Sequence, residues 1–225
     1  MKWTANTLIL FLFAASFCQE CIADDGFLKS NCIEESGVQQ TENRAVGSFD
    51  SIDIKGSFNL TITSRKNFSV IITCDGNLIP HISTEVRSKK LFIYSNRSIC
   101  STKGIDISIS APDIREVNAS GSNDISVTGI ANNSISITLD GAGDLTISGN
   151  TKKFEANLFG SNHLHAKNLR SEETSISIAG SSDAAVFASE VLKINIGGVG
   201  GIIYYGNPNT IVKEISGIGT IRPAD

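Results

Sequence analysis

A glycine recurs in phase through the second half of this chain. The tracts SGSNDI (120–125), DGAGDL (140–145), FGSNHL (159–164), AGSSDA (179–184), GGVGGI (197–202) and SGIGTI (216–221) align on Gly121, Gly141, Gly160, Gly180, Gly198 and Gly217, at spacings of 20, 19, 20, 18 and 19 residues. A period this constant marks a repeat architecture, because one such unit buries its apolar face only against its neighbours. Apolar residues keep phase with the glycines. Two places before them stand Ala119, Leu139, Leu158, Ile178, Ile196 and Ile215; four places after stand Ile125, Leu145, Leu164, Ala184, Ile202 and Ile221. Gly56 obeys the same rule, with Ile52 and Ile54 before it and Leu60 and Ile62 after. Each repeat therefore holds two short strands joined at a glycine corner, where a positive φ meets no Cβ clash.

From residue 46 onward the apolar residues alternate with period 2 and are largely β-branched, which is the strand pattern. Only GNLIPH (76–81) suits a helical turn. The fold class is all-β. The repeat points to a β-solenoid, parallel β-helix-like, with about 19–20 residues per repeat. Stacked coils would place Leu139, Leu158, Ile178, Ile196 and Ile215 in one internal ladder at about 4.8 Å steps. The rival is an antiparallel meander, although no corner resembles a tight two-residue hairpin turn. Residues 46–110 repeat less regularly and carry Phe49, Phe58, Phe68 and Phe92. They are expected to form an N-terminal β cap over the first coil's open edge.

The N-terminus reads as an export signal. Lys2 precedes the apolar run Thr7–Phe17, and Cys21-Ile22-Ala23 puts small residues at a cleavage site. The run is far shorter than the roughly 20 residues of a spanning helix. Residues 1–23 are thus expected to be a removed signal peptide, residues 24–45 a flexible polar leader, and residues 46–225 the solenoid domain. No later apolar stretch spans a membrane. Cleavage would leave Cys32, Cys74 and Cys100 in an oxidising compartment. Cys74 and Cys100 end apolar runs, which makes them the first candidates for a disulfide, with buried free thiols as the other reading and the fate of Cys32 open.

The glycine corners, FDSIDIKGSFNLTI (49–62) and IIYYGNPNTIVKEISGIGTI (202–221) together make the chain resemble the head GIN domain family, over about residues 46–222. The family's name carries an auto-transporter adhesin role. The resemblance implies an exported, mostly bacterial β-solenoid-like domain with a surface role and no catalytic residues. This chain departs from the corner pattern at His163, Gly201 and Thr220.

Several constellations are weighed on their own chemistry. Asp124, Asp144 and Asp183 share one repeat position, with His163 between the second and third. They are weak candidates for a cation site; the plainer reading is that they accept backbone hydrogen bonds at the corner. His163 and His165 share a strand face, but no third ligand with metal-site spacing accompanies them. Tyr204 fits the core, which leaves Tyr205 outward. No G-x-S-x-G motif supports a catalytic serine. A net charge of -4 argues against a nucleic-acid partner. The outward positions Ser126, Thr128, Ser136, Thr138, Thr146, Ser148, Glu155, Asn157, His165, Lys167, Ser175, Ser177, Lys193 and Asn195 are short, polar and mixed in charge. The expected function is non-enzymatic: an adhesin or a surface or periplasmic binding module for a glycan or protein, without cofactor. It would sit in the periplasm, at the outer-membrane surface or outside the cell. A small carbohydrate-active enzyme and a structural envelope protein without ligand are the other readings.

Overall fold

The structure, a computed structural model, describes residues 31–224. The expected signal peptide and its Ala23 boundary lie outside them. The described residues are all-β, with a 3-10 turn at Ile79–His81, inside the stretch where a helical turn was expected. In chain order the strands are β1 (Ile33–Glu34), β2 (Gln39–Arg44), β3 (Ser51–Ser64), β4 (Ser69–Asp75), β5 (Ile82–Arg87), β6 (Lys90–Ser95) and β7 (Ile99–Cys100). There follow β8 (Asp106–Ala111), β9 (Glu116–Ile178), β10 (Asp183–Phe187), β11 (Val191–Ile196), β12 (Val199–Tyr205), β13 (Thr210–Ile215) and β14 (Ile218–Pro223).

Two ladders run through the repeats. In the first, Ile52 of β3 pairs with Leu91 on one side and Val117 on the other. At its far end, Glu173–Ile178 pairs with β11, and β11 with β13. In the second, Leu60 pairs with Ile107 and Ile125. Further on, His163–Ala166 pairs with β10, which pairs with β12, which pairs with β14. Every one of these pairings is parallel. At the two ends of β9, Ser136 donates its N–H to Arg115 O at 2.9 Å, and Ala179 donates to Leu158 O at 2.9 Å. Each strand thus pairs with its own equivalent one repeat away, and the antiparallel meander does not hold. The inward residues of both ladders belong to one apolar core.

The less regular N-terminal part is mixed. Strand β4 lies antiparallel on β8, β2 antiparallel on β4, and β5 antiparallel on β6. These extra strands cover the edges that β8 and β6 would otherwise expose. One expectation is corrected here. Within the stretch 24–45, read as a flexible leader, Gln39–Arg44 is an edge strand. Its sequence, QQTENR, carries no apolar alternation because it is exposed along most of its length. An edge strand takes its order from backbone pairing, which composition does not reveal.

The other end of the stack is open. Leu139, Leu158, Ile178 and Ile196 are buried as expected, but Ile215 is 46% exposed because β13 pairs with β11 on one side and with no further described strand on the other. Ile176, Ile194 and Lys213 occupy one inward position in successive strands. A lysine where an isoleucine belongs, with Pro223 closing β14, blunts this edge against further pairing.

The cysteine pairing also differs from expectation. Cys32 is bonded to Cys100, with their Cα atoms 5.6 Å apart, and Cys74 is a buried free thiol. Strand β1 runs parallel to β7 and sets Glu34 opposite Cys100, next to Cys32. Cys74 instead turns into the core, where it is 1% exposed and donates to Asp75 O at 3.6 Å. Burial, then the Asp75 carboxylate, push its thiol up to about 11, so it stays protonated and unreactive at neutral pH. Non-reducing peptide mapping by mass spectrometry is expected to join the Cys32 and Cys100 peptides. Cys74 should alkylate only after denaturation. A Cys74–Cys100 peptide pair would overturn this connectivity.

Candidate functional site

Alternation in each strand decides what faces outward. In the first ladder Ser136, Thr138, Glu155, Asn157, Ser175, Ser177, Lys193 and Asn195 all stay out of the core, because their neighbours Ile137, Ala156, Ile176 and Ile194 fill it. In the second, Ser126, Thr128, Thr146, Ser148, His165 and Lys167 do the same around Val127, Ile147 and Ala166. Equivalent positions line up across strands, as Ser177 does with Asn195 and Asn195 with Glu214. The result is two ridged faces of hydroxyl, amide and isolated charged groups.

The Asp file is real, and one oxygen of each carboxylate is already engaged by a neighbouring repeat. Asp124 Oδ1 accepts the N–H of Asp144 at 3.4 Å, and Asp183 Oδ1 accepts the N–H of Gly201 at 2.7 Å. Asp144 Oδ1 lies 3.1 Å from His163 Nδ1. The file continues to Asn59, whose amide donates to Asp106 Oδ1 at 2.9 Å. These carboxylates brace one repeat against the next. Among the described residues no three His, Cys, Asp or Glu side chains come together as a metal site, so Asp124, Asp144 and Asp183 do not form a ligand cluster. His163 and His165 share the rim of a shallow depression of about 380 Å³ with Asp183 and Arg222. His81 stands apart, 3.3 Å from Asn96 Oδ1. Tyr204 packs against the core.

A cleft of about 810 Å³ lies at the glycine corners. Its floor is the corner at Gly56, Ser57, Ser122 and Gly143, and its wall is the segment 95–104, which includes β7. A side chain at Gly143 has no room: a Cβ would fall 1.9 Å from Asn123 O, and φ is +147°. Asn123 fixes the corner from inside, accepting the Phe58 N–H at 3.2 Å and donating to Ser120 O at 3.1 Å. Asn162 repeats the donation to Phe159 O at 2.8 Å. The asparagine two places after the glycine, in both SGSN and FGSN, was a legible sign of this brace.

The wall is strapped from the N-terminal side. Besides the Cys32–Cys100 bond, Glu35 accepts hydrogen bonds from Thr102 Oγ1 at 2.5 Å, Ser101 Oγ at 2.8 Å and Thr102 N–H at 3.1 Å. The hydroxyls of Thr102 and Ser101 hold the Glu35 carboxyl down at about 2, well below the usual range. The other displaced groups also have structural causes. Arg115 is raised by its hydrogen bond to Asp113. Glu116 is lowered overall: burial raises it, but hydrogen bonds from Asn118 and Lys90 outweigh that. Neither Glu35, Arg115 nor Glu116 lines this cleft.

The fold has solved relatives. A structure described as a "putative adhesin" from Bacteroides fragilis superposes with a TM-score of 0.71 at 21% identity, covering 85% of this chain and 100% of that one. A "putative lipid binding protein" from Parabacteroides distasonis superposes with a TM-score of 0.54 at 22% identity, covering 86% and 99%. At such identities the likeness is one of fold. The comparison with curated proteins gave no match. Residues 48–208 match the family described as "Putative auto-transporter adhesin, head GIN domain". That stretch spans both ladders from β3 to the end of β12, the corners from Gly56 to Gly198 and the cleft, and the chain belongs to the head GIN domain family.

Proposed function

We propose that this chain is an exported binding module of the adhesin type, which holds a polar partner without turning it over. The observation that carries the reading is the pair of outward faces, where short hydroxyl and amide side chains repeat in register from strand to strand. Each contact to such a ladder contributes little, on the order of 1 kcal/mol, so strength comes from repetition and from many displayed copies. Parallel pairing of the repeat strands, each with its equivalent one repeat on, supports winding of the two ladders as one β-solenoid. The N-terminal signal, cut after Ala23, would deliver the domain to the periplasm, the outer-membrane surface or the cell exterior. Displaced acids and bases that are spent on structural hydrogen bonds favour binding over catalysis.

The test is adherence of beads coated densely or sparsely with the mature chain to host cells, matrix proteins and glycan surfaces. Dense beads are expected to adhere and sparse beads to fail. Equal failure at both densities sinks the adhesive role. Glycan cleavage lost in Asp144→Asn would support an enzyme instead.

A further inference from the structure

The corner cleft differs from the ridged faces in having a built wall and unbalanced charge. Lys55 stands on its floor side and Arg97 on its wall, both exposed, and neither is in an ion pair with any described residue. The single carboxylate among the lining residues is Asp124, already engaged by the Asp144 N–H at 3.4 Å. Two cations thus face one shared space with one acid beside them. The remaining polar groups are hydroxyls and amides, among them Ser57, Ser98, Ser122 and Asn96, with Ile99 and Ala142 as small aliphatic patches between them. The one aromatic residue in the lining, Phe58, is 3% exposed, which leaves no ring face for an apolar ligand.

We propose that this cleft binds an acidic oligosaccharide, whose carboxylate or sulfate group lies between Lys55 and Arg97 and whose hydroxyls meet the Ser and Asn side chains. This rests on the binding-module reading and names a ligand class and a place for it. The volume falls in the range of roughly 300–1,000 Å³ usual for small-ligand sites. Guanidinium and ammonium donors bond anionic oxygens more strongly than neutral ones do. The bare glycine floor lets a sugar ring approach the backbone. The Cys32–Cys100 bond and the Glu35 hydrogen bonds hold the wall in place before the ligand arrives, so little ordering cost is left for binding.

The experiment is calorimetric titration of the full chain with four probes: trigalacturonate, a chondroitin sulfate tetrasaccharide, neutral maltotriose and sodium acetate. At least one acidic sugar is expected to bind about tenfold or more tightly than maltotriose and acetate, the size of one charge-assisted contact. Lys55→Gln and Arg97→Gln, both at exposed positions, should each weaken that binding about tenfold. Lys152→Gln, an exposed cation away from the lining, should leave it unchanged. The proposal is overturned if neither acidic sugar saturates, if maltotriose or acetate binds as tightly, or if both cleft variants keep full affinity. Beads that still adhere while no acidic sugar binds would remove the cleft ligand and leave the adhesive reading standing. Sugar binding without bead adherence would do the reverse.

Discussion

Replacing Gly141 with alanine is expected to cost about 3–5 kcal/mol, the range of a clash combined with backbone strain at a half-buried position packed against the neighbouring repeat's backbone. Gly141 has φ +140°, and a Cβ there would sit 2.1 Å from Gly121 O. The contact recurs up the column: Gly121 over Gly56 O and Gly160 over Gly141 O, each at 2.1 Å. The obstacle cannot swing aside as a side chain would. Equivalent corner carbonyls are held in the ladder, Gly160 O by Ser181 N–H at 2.7 Å and Gly180 O by Val199 N–H at 2.8 Å. An added methyl therefore forces two repeats apart. Gly47→Ala is the control, since no atom lies within 4 Å of its Cβ position. It should change stability by less than about 0.5 kcal/mol. Urea unfolding followed by far-UV circular dichroism compares the two. Equal, small effects would show that the corners are not closely stacked.

Leu158→Ala and Ile178→Ala should each lose about 2–5 kcal/mol, the usual cost of a cavity in a packed core. Leu158 is 0% and Ile178 1% exposed, and they lie one repeat apart on the inner side of the first ladder. Ile178 pairs with Ile196, and Ile196 with Ile215. The same substitution at Ile215, 46% exposed at the open end, should cost only about 1 kcal/mol, because less area leaves contact and no closed cavity forms. The same urea titration reads all three. An Ile215 effect equal to the other two would mean that the end of the stack is covered in solution, and a negligible Leu158 effect would mean the wrong register.

The resemblance in sequence led to the right family, and alternation led to the right class of fold. The places where reading the sequence went astray share a cause. Strand β2 carries no alternation to read, because QQTENR is polar on both faces. Cys74 and Cys100 both end apolar runs, which points to their pairing, yet period 2 turns Cys74 into the core. The second corner of the repeat, with Gly129, Gly149 and Gly206 at positive φ, escaped notice because other residues fill its place in the remaining repeats. The cleft could not be foreseen, since its floor and wall come from corner residues and a segment that share no period.

What the sequence determined by itself is the repeat: its length, its glycine corners and which residues turn inward. In a stack of like units each residue's tertiary neighbour is its own equivalent about 19 positions away, so the local pattern already states the long-range contact. The tertiary structure alone decided the Cys32–Cys100 bond across 68 residues, the antiparallel strands over the first repeat, and the placing of Lys55 and Arg97 in the lining of one cleft. Those contacts join unlike segments. Nothing periodic encodes them, and they form only when the chain's packing brings distant, differently patterned pieces to the same edge.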